Sequence, residues 1–144
     1  MSAAPQTWLA WAIASAVFAA LTAIFAKVGV SGVDPDVATA IRTVLIVAAL
    51  AAYLWLAGKT LQVGQLSART WTFLALSACA TGASWLCYFR ALQLGPASSV
   101  APVDKLSVVF VILGAWIFLG EHLTPLKIGG ASLITLGAII LAFA

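Results

Sequence analysis

Asp104 and Lys105 are the residues of this chain whose types and setting most clearly invite chemistry. They stand side by side in residues 98–119, SSVAPVDKLSVVFVILGAWIFL, a run long enough to cross a bilayer. An ionised side chain two turns inside such a run costs about 3 kcal/mol on insertion scales, so it persists when it is paired, hydrated or used. A carboxylate beside an ammonium at that depth can hold a charged solute or pass a proton, or it can be a structural ion pair. Lys27, Arg42 and Arg90 are the other cations inside or at the ends of apolar runs. What could bring them to Asp104 depends on the elements that carry them.

Composition defines those elements. Of 144 residues, 64% are hydrophobic and 8% charged, and mean hydropathy is +1.14. Soluble domains carry about 25% charged residues, so the chain is expected to be an all-α integral membrane protein in a lipid bilayer. Net charge is only +3, which leaves no basic surface for nucleic acid. Five segments have the roughly 20 apolar residues that a spanning helix needs: 8–28, 35–57, 71–94, 98–119 and 125–143, in one domain over 1–144. Asp34 before Pro35 and Thr124 before Pro125 read as a cap followed by a first-turn proline. Gly95-Pro96 breaks the third helix, with Ser98 or Ser99 as the cap of the fourth. The N-terminal MSAAPQT has no basic region before its apolar run, so the first helix is expected to remain attached.

Short loops force the helices to alternate in direction. One side of the membrane then holds the N-terminus and the loops after the second and fourth helices. The other holds the loops after the first and third helices and the C-terminus. Trp8, Trp11, Trp55, Trp71 and Trp116 fall near the first side, and Trp85 lies mid-membrane. Interfacial Trp belts normally mark both faces. Lys27, Arg42, Arg90 and Asp104-Lys105 all fall toward the second side, roughly 2 to 10 Å from their helix ends. Four cations and one carboxylate thus share a level. Lys27 and Arg90 can snorkel to headgroups. Arg42, Asp104 and Lys105 make either a buried ion pair or a solvated pathway, with Arg90 and Arg42 as rival partners of Asp104.

A polar stripe on the third helix adds to this. Ser77, Thr81, Ser84 and Tyr88 recur at helical spacing beside Trp85. Such hydroxyls glue helices together or line a polar cavity. A similar stripe of Trp8, Trp11, Ser15, Phe18, Thr22 and Phe25 on the first helix fits packing or a substrate-facing role. Gly129, Gly130, Ala131 and Gly137 on the fifth suit close helix contact within the protein or across a dimer. Cys79 and Cys87 are packing residues by their spacing, and His122 beside Glu121 is a loop histidine. There is no phosphate-cradling loop, no metal box and no catalytic triad, so neither enzyme chemistry nor a cofactor is expected.

Residues 119–137, LGEHLTPLKIGGASLITLG, resemble the end of the EamA domain of the drug/metabolite transporter superfamily, whose LGE box closes the fourth helix before a capped proline. YFRALQLGPASSVAP, upstream, is similar to that family's short link between third and fourth helices. The resemblance covers the whole chain as one five-helix repeat. It implies a secondary transporter of small metabolites or drugs in the cytoplasmic membrane, working by alternating access. Two departures stand out. Typical members have two such repeats, one inverted against the other. Many also have a mid-helix proline where the LGE register here places Val108.

One repeat implies completion by an inverted second copy, an antiparallel homodimer with its site near the repeat interface. Lys59, Arg69 and Lys127 on one side nearly balance Lys27, Arg42, Arg90 and Lys105 on the other, as dual topology requires. Inversion would also turn a one-sided Trp belt into two. The expected pathway comprises Arg42, Arg90, Asp104 and Lys105, shaped by Ser77, Thr81, Ser84, Trp85 and Tyr88, and its cationic excess suits an anionic or carboxylate-bearing substrate. The alternative is a structural or accessory membrane protein that needs a non-identical partner chain.

Overall fold

The computed structural model describes residues 7–59, 64 and 66–144, and every spanning element among them is helical. Six helices follow in order: α1 Thr7–Gly29, α2 Pro35–Leu56, α3 Ala68–Leu94, α4 Ala97–Asp104, α5 Ser107–Leu119 and α6 Pro125–Phe143. Together α4 and α5 make one span, Ala97–Leu119, so among the described residues five helices are long and apolar enough to cross a membrane. The N-terminal MSAAPQ lies outside the described residues. The observed ends agree with the expected ones to within three residues, the largest difference being the start of α3.

Local chemistry sets the boundaries. Asp34 caps α2, its carboxylate accepting from the amides of Asp36 at 2.9 Å and Val37 at 3.0 Å, with Pro35 at the first helical position where no N–H is missed. Thr124 caps α6 in the same way, accepting from the Lys127 amide at 3.3 Å. Gly120 ends α5 in the left-handed region at φ 67°, and the amides of Gly120 and Glu121 both turn back to the Ala115 carbonyl. The glycine of the LGE sequence is therefore a helix stop. The expected Ser98 or Ser99 cap is not used: Pro96 occupies that position without a side-chain bond, and both serines lie inside the first turn of α4.

The fourth span is not the continuous helix that its hydropathy suggests. Between α4 and α5 the ladder tightens, with Lys105 N–H donating to Pro102 O, Leu106 to Val103, Val108 to Lys105 and Val109 to Leu106, all at 3.0 to 3.1 Å. These bonds reach back three residues, not four, the geometry of a 3₁₀ turn. Pro102, inside α4, has no N–H to donate to the Ser98 carbonyl, which its ring crowds, and the three-residue bonds begin just after it. Asp104 and Lys105 sit in that turn.

The chain forms two compact units: α1 to Val28 with Leu94–Ala144, and Gly29–Gln93. In the first, α4 packs along α6 and α5 also touches it. The buried positions there are small, Ala23, Ala26 and Ala138. Lys27 reaches from the end of α1 and donates its Nζ to the Gly95 carbonyl at 2.8 Å, an acceptor exposed by the break before Pro96. In the second unit, α2 and α3 run side by side. Val30, Pro35, Thr39, Phe89 and Leu92 are buried near one end of that pair, while Leu45, Val47, Leu74 and Leu76 are exposed, as apolar surface facing lipid tails can be.

Candidate substrate pathway

Within Gly29–Gln93 the polar groups of α2 and α3 meet in an antiparallel ladder. Gln93 Nε2 donates to Val33 O at 3.1 Å at its outer end. One step inward, Arg90 Nη2 donates to both oxygens of Asp36, at 3.0 and 3.2 Å. Deeper still, the Arg42 guanidinium lies 4.3 Å from the Trp85 ring centroid and 5.3 Å from that of Phe89. Arg42 is the eighth residue of α2, about 10 Å along its axis.

The two arginines differ in what satisfies them. Arg90 has a carboxylate, and the pair is well exposed, with side-chain accessibilities of 61% and 52%, as a pair at the membrane end would be. Arg42 is half-buried, and among the described residues it has no hydrogen-bond acceptor and no carboxylate. A desolvated cation–π contact contributes about 2 kcal/mol, against about 3 kcal/mol for placing an arginine in a span. The rings offset much of the cost of the charge, but they leave the guanidinium's five N–H donors unused, since a ring face attracts charge without accepting those bonds in their plane.

Trp85, half-buried, thus forms a platform under Arg42, and Tyr88, one turn on, is half-buried near it. Ser77, Thr81 and Ser84 are exposed on α3. Thr81 donates to the Ser77 carbonyl at 2.9 Å, so that hydroxyl is satisfied by its own helix.

In the other unit, Asp104 and Lys105 satisfy each other: Lys105 Nζ donates to Asp104 Oδ2 at 3.1 Å. Adjacent residues on a regular helix diverge by about 100° and cannot easily meet. The tightened turn makes the contact accessible. Even so, the side chains remain 37% and 57% exposed in the middle of a polypeptide segment otherwise fit for hydrocarbon. Within this unit Lys105 is the cation bonded to Asp104.

Asp36 is the charged residue that sequence reasoning left out of the cluster. Its place in the first turn of α2 suggests only an acid complementing a helix N-terminus. Yet the depth comparison applied to Arg90 places Asp36 on the same level and side, and that was the available signal. Lys27 likewise holds the Gly95 carbonyl, where snorkelling to headgroups was one expectation. Lys127 pairs with Glu121 at 3.3 Å.

A further concavity lies between α5 and α6, an open groove of about 390 Å³ lined by Val109, Ile112, Leu113, Ile128 and Leu136 among others. The hydroxyls on its wall, Ser132 and Thr135, donate to carbonyls of their own helix at 3.0 and 2.9 Å, so it offers an apolar surface. Among the described residues no three His, Cys, Asp or Glu side chains gather as metal ligands would.

Comparison with known proteins gives the setting for these features. Residues 6–143 match the model of the EamA-like transporter family. A Sinorhizobium sp. protein described as "Uncharacterized transporter in cobO 3'region" is 53% identical over 137 residues, covering 95% of this chain and 97% of the relative. No solved structure matches the chain.

Proposed function

Because the chain belongs to the EamA-like transporter family, we propose that it is a secondary transporter of small metabolites or drugs that works by alternating access as an antiparallel homodimer. The observation that carries this is the exposed Asp104–Lys105 pair at a 3₁₀ turn inside the fourth span. Lipid is a poor neighbour for such a pair, because hydrocarbon supplies neither water nor a counter-charge. A polar cavity shared with a second copy supplies both. Interrupted spanning helices near the midplane are where transporters built from inverted repeats place their sites, since a local change in bonding there lets one half of a span move against the other.

Three features support a second copy. The match extends over nearly all of a relative that is itself no longer than one five-span unit. Gly129, Gly130 and Gly137 line α6, and a Cβ added at any of them would meet nothing within 4 Å, so their close-approach surface is not used inside their own unit. The balance of cations between the two sides, noted above, lets copies insert in both orientations. In this function Asp104 and Lys105 hold each other in one state and release in another, with Arg42, Arg90 and the Ser77–Tyr88 face of α3 lining the route.

Single-cysteine labelling at Lys59 in intact cells tests the assembly. Modification from both faces of the membrane is expected; modification from one face alone favours an accessory protein with a non-identical partner and defeats the antiparallel arrangement.

A further inference from the structure

We infer that Arg42, mounted on the rings of Trp85 and Phe89, is an anchor for a small carboxylate whose remaining body is apolar. It deepens the transport function and relies on it for the ligand to be cargo, whereas the binding itself does not. A survey of the cations singles out this residue. Arg90 is held by Asp36, Lys105 by Asp104 and Lys127 by Glu121, and Lys27 bonds a backbone carbonyl. Lys59 lies over Tyr53 just outside the second span, and Arg69, over Phe73, is the second residue of the third span, at the membrane end. Arg42 is the cation two turns inside a span that has neither a carboxylate nor a hydrogen-bonded oxygen among the described residues.

Its mounting points to the shape of the missing partner. The Arg42 guanidinium carbon stands over the Trp85 ring, 4.3 Å from its centroid, and a group stacked at that distance keeps its edge open. The hydrogen-bond donors radiate from the edge, in the plane, where a planar two-oxygen acceptor can take two parallel bonds. A carboxylate has that form. The aromatic side chains beside it favour an apolar remainder over a sugar or a second charge. Depth argues against a lipid headgroup as the source of the oxyanion. Headgroups reach the end of the helix pair, and there Arg90 already has Asp36, whereas Arg42 lies about 10 Å further in.

The test uses the full chain in phosphatidylcholine nanodiscs and thermal-shift titration with butyrate, benzoate and phenylacetate, each against its amide, with benzylamine as the cationic control. At least one carboxylate is expected to stabilise the protein at a concentration at least tenfold below its amide. R42Q should raise that concentration about tenfold or more, and R42K, which keeps the charge but loses the fork, by less. W85F should weaken binding without abolishing it. Amides or benzylamine matching the carboxylates, no response to any carboxylate, or an R42Q titration identical to wild type each overturns the assignment. So does Arg42-dependent stabilisation by added phosphatidylglycerol that replaces the carboxylate effect. Counterflow of the best carboxylate in proteoliposomes separates the two proposals: binding that depends on Arg42 without flux removes the transport function and leaves the anchor, while flux indifferent to R42Q does the reverse.

Discussion

The two charged places of this molecule are built on opposite principles. In the fourth span, Asp104 and Lys105 are neighbours in sequence, brought to 3.1 Å by a tightened turn and still 37% and 57% exposed. In the α2–α3 pair, Arg42 has aromatic rings where a counter-charge would be, and the acid of that pair, Asp36, is taken by Arg90. The first is neutral as a unit and sits on a backbone bonded through three residues where a regular helix bonds through four. The second carries net charge and sits on a regular helix. A neutral pair on an irregular turn suits a switch; a partly satisfied cation on a regular helix suits a grip.

Breaking the switch should have the largest effect. Asp104→Asn leaves Lys105 without its carboxylate, and flux in proteoliposomes is expected to fall to background while crosslinking still detects the dimer; unchanged flux removes Asp104 from the mechanism. Breaking the grip comes next, since Arg42→Gln is expected to cost about tenfold or more in affinity for a carboxylate, with a smaller loss for a neutral solute, measured by competition. Pro102→Ala restores a donor and relieves the ring clash, so the fourth span should gain regular helix. The expected result is a several-fold slower exchange rate with little change in affinity, and a rate equal to wild type would show that the tightened turn is not a hinge. Asp36→Asn separates the arginines further: it frees Arg90 at the membrane end, where water can solvate it, so flux should change less than for either charged place. Smallest for function is Gly120→Ala, which places a side chain in the left-handed region at φ 67°. It should lower stability by about 1 kcal/mol in denaturant titration, leaving substrate affinity intact.

Much of the architecture could be read from residue types. Pro35 after Asp34 and Pro125 after Thr124 act through bonds within a few residues, and they cap the helices that they mark. The LGE sequence marked the end of the fourth helix only through its family resemblance, and the structure supplies the local reason: Gly120 takes the left-handed stop without strain. Ser98 and Ser99 misled because Gly95-Pro96 had already set the cap at Pro96, two residues before Ser98. Pro102 was visible, but a single proline in a span can kink, tighten or be absorbed, and the outcome depends on how the rest of the ladder adjusts.

The sequence by itself determined that the chain has five helices able to cross the membrane, and it placed each charge at a depth along its own helix. Hydropathy and helical rise are properties of contiguous residues, and they need no fold to act. Only the tertiary structure decided the partners. Lys27 with Gly95, Asp36 with Arg90, and Arg42 with Trp85 join residues 68, 54 and 43 positions apart. Depth along a helix brings such groups to one level, but which of them touch is set by the rotation of each helix about its axis. At about 100° per residue, that angle is fixed by packing between neighbours, and no local motif records it.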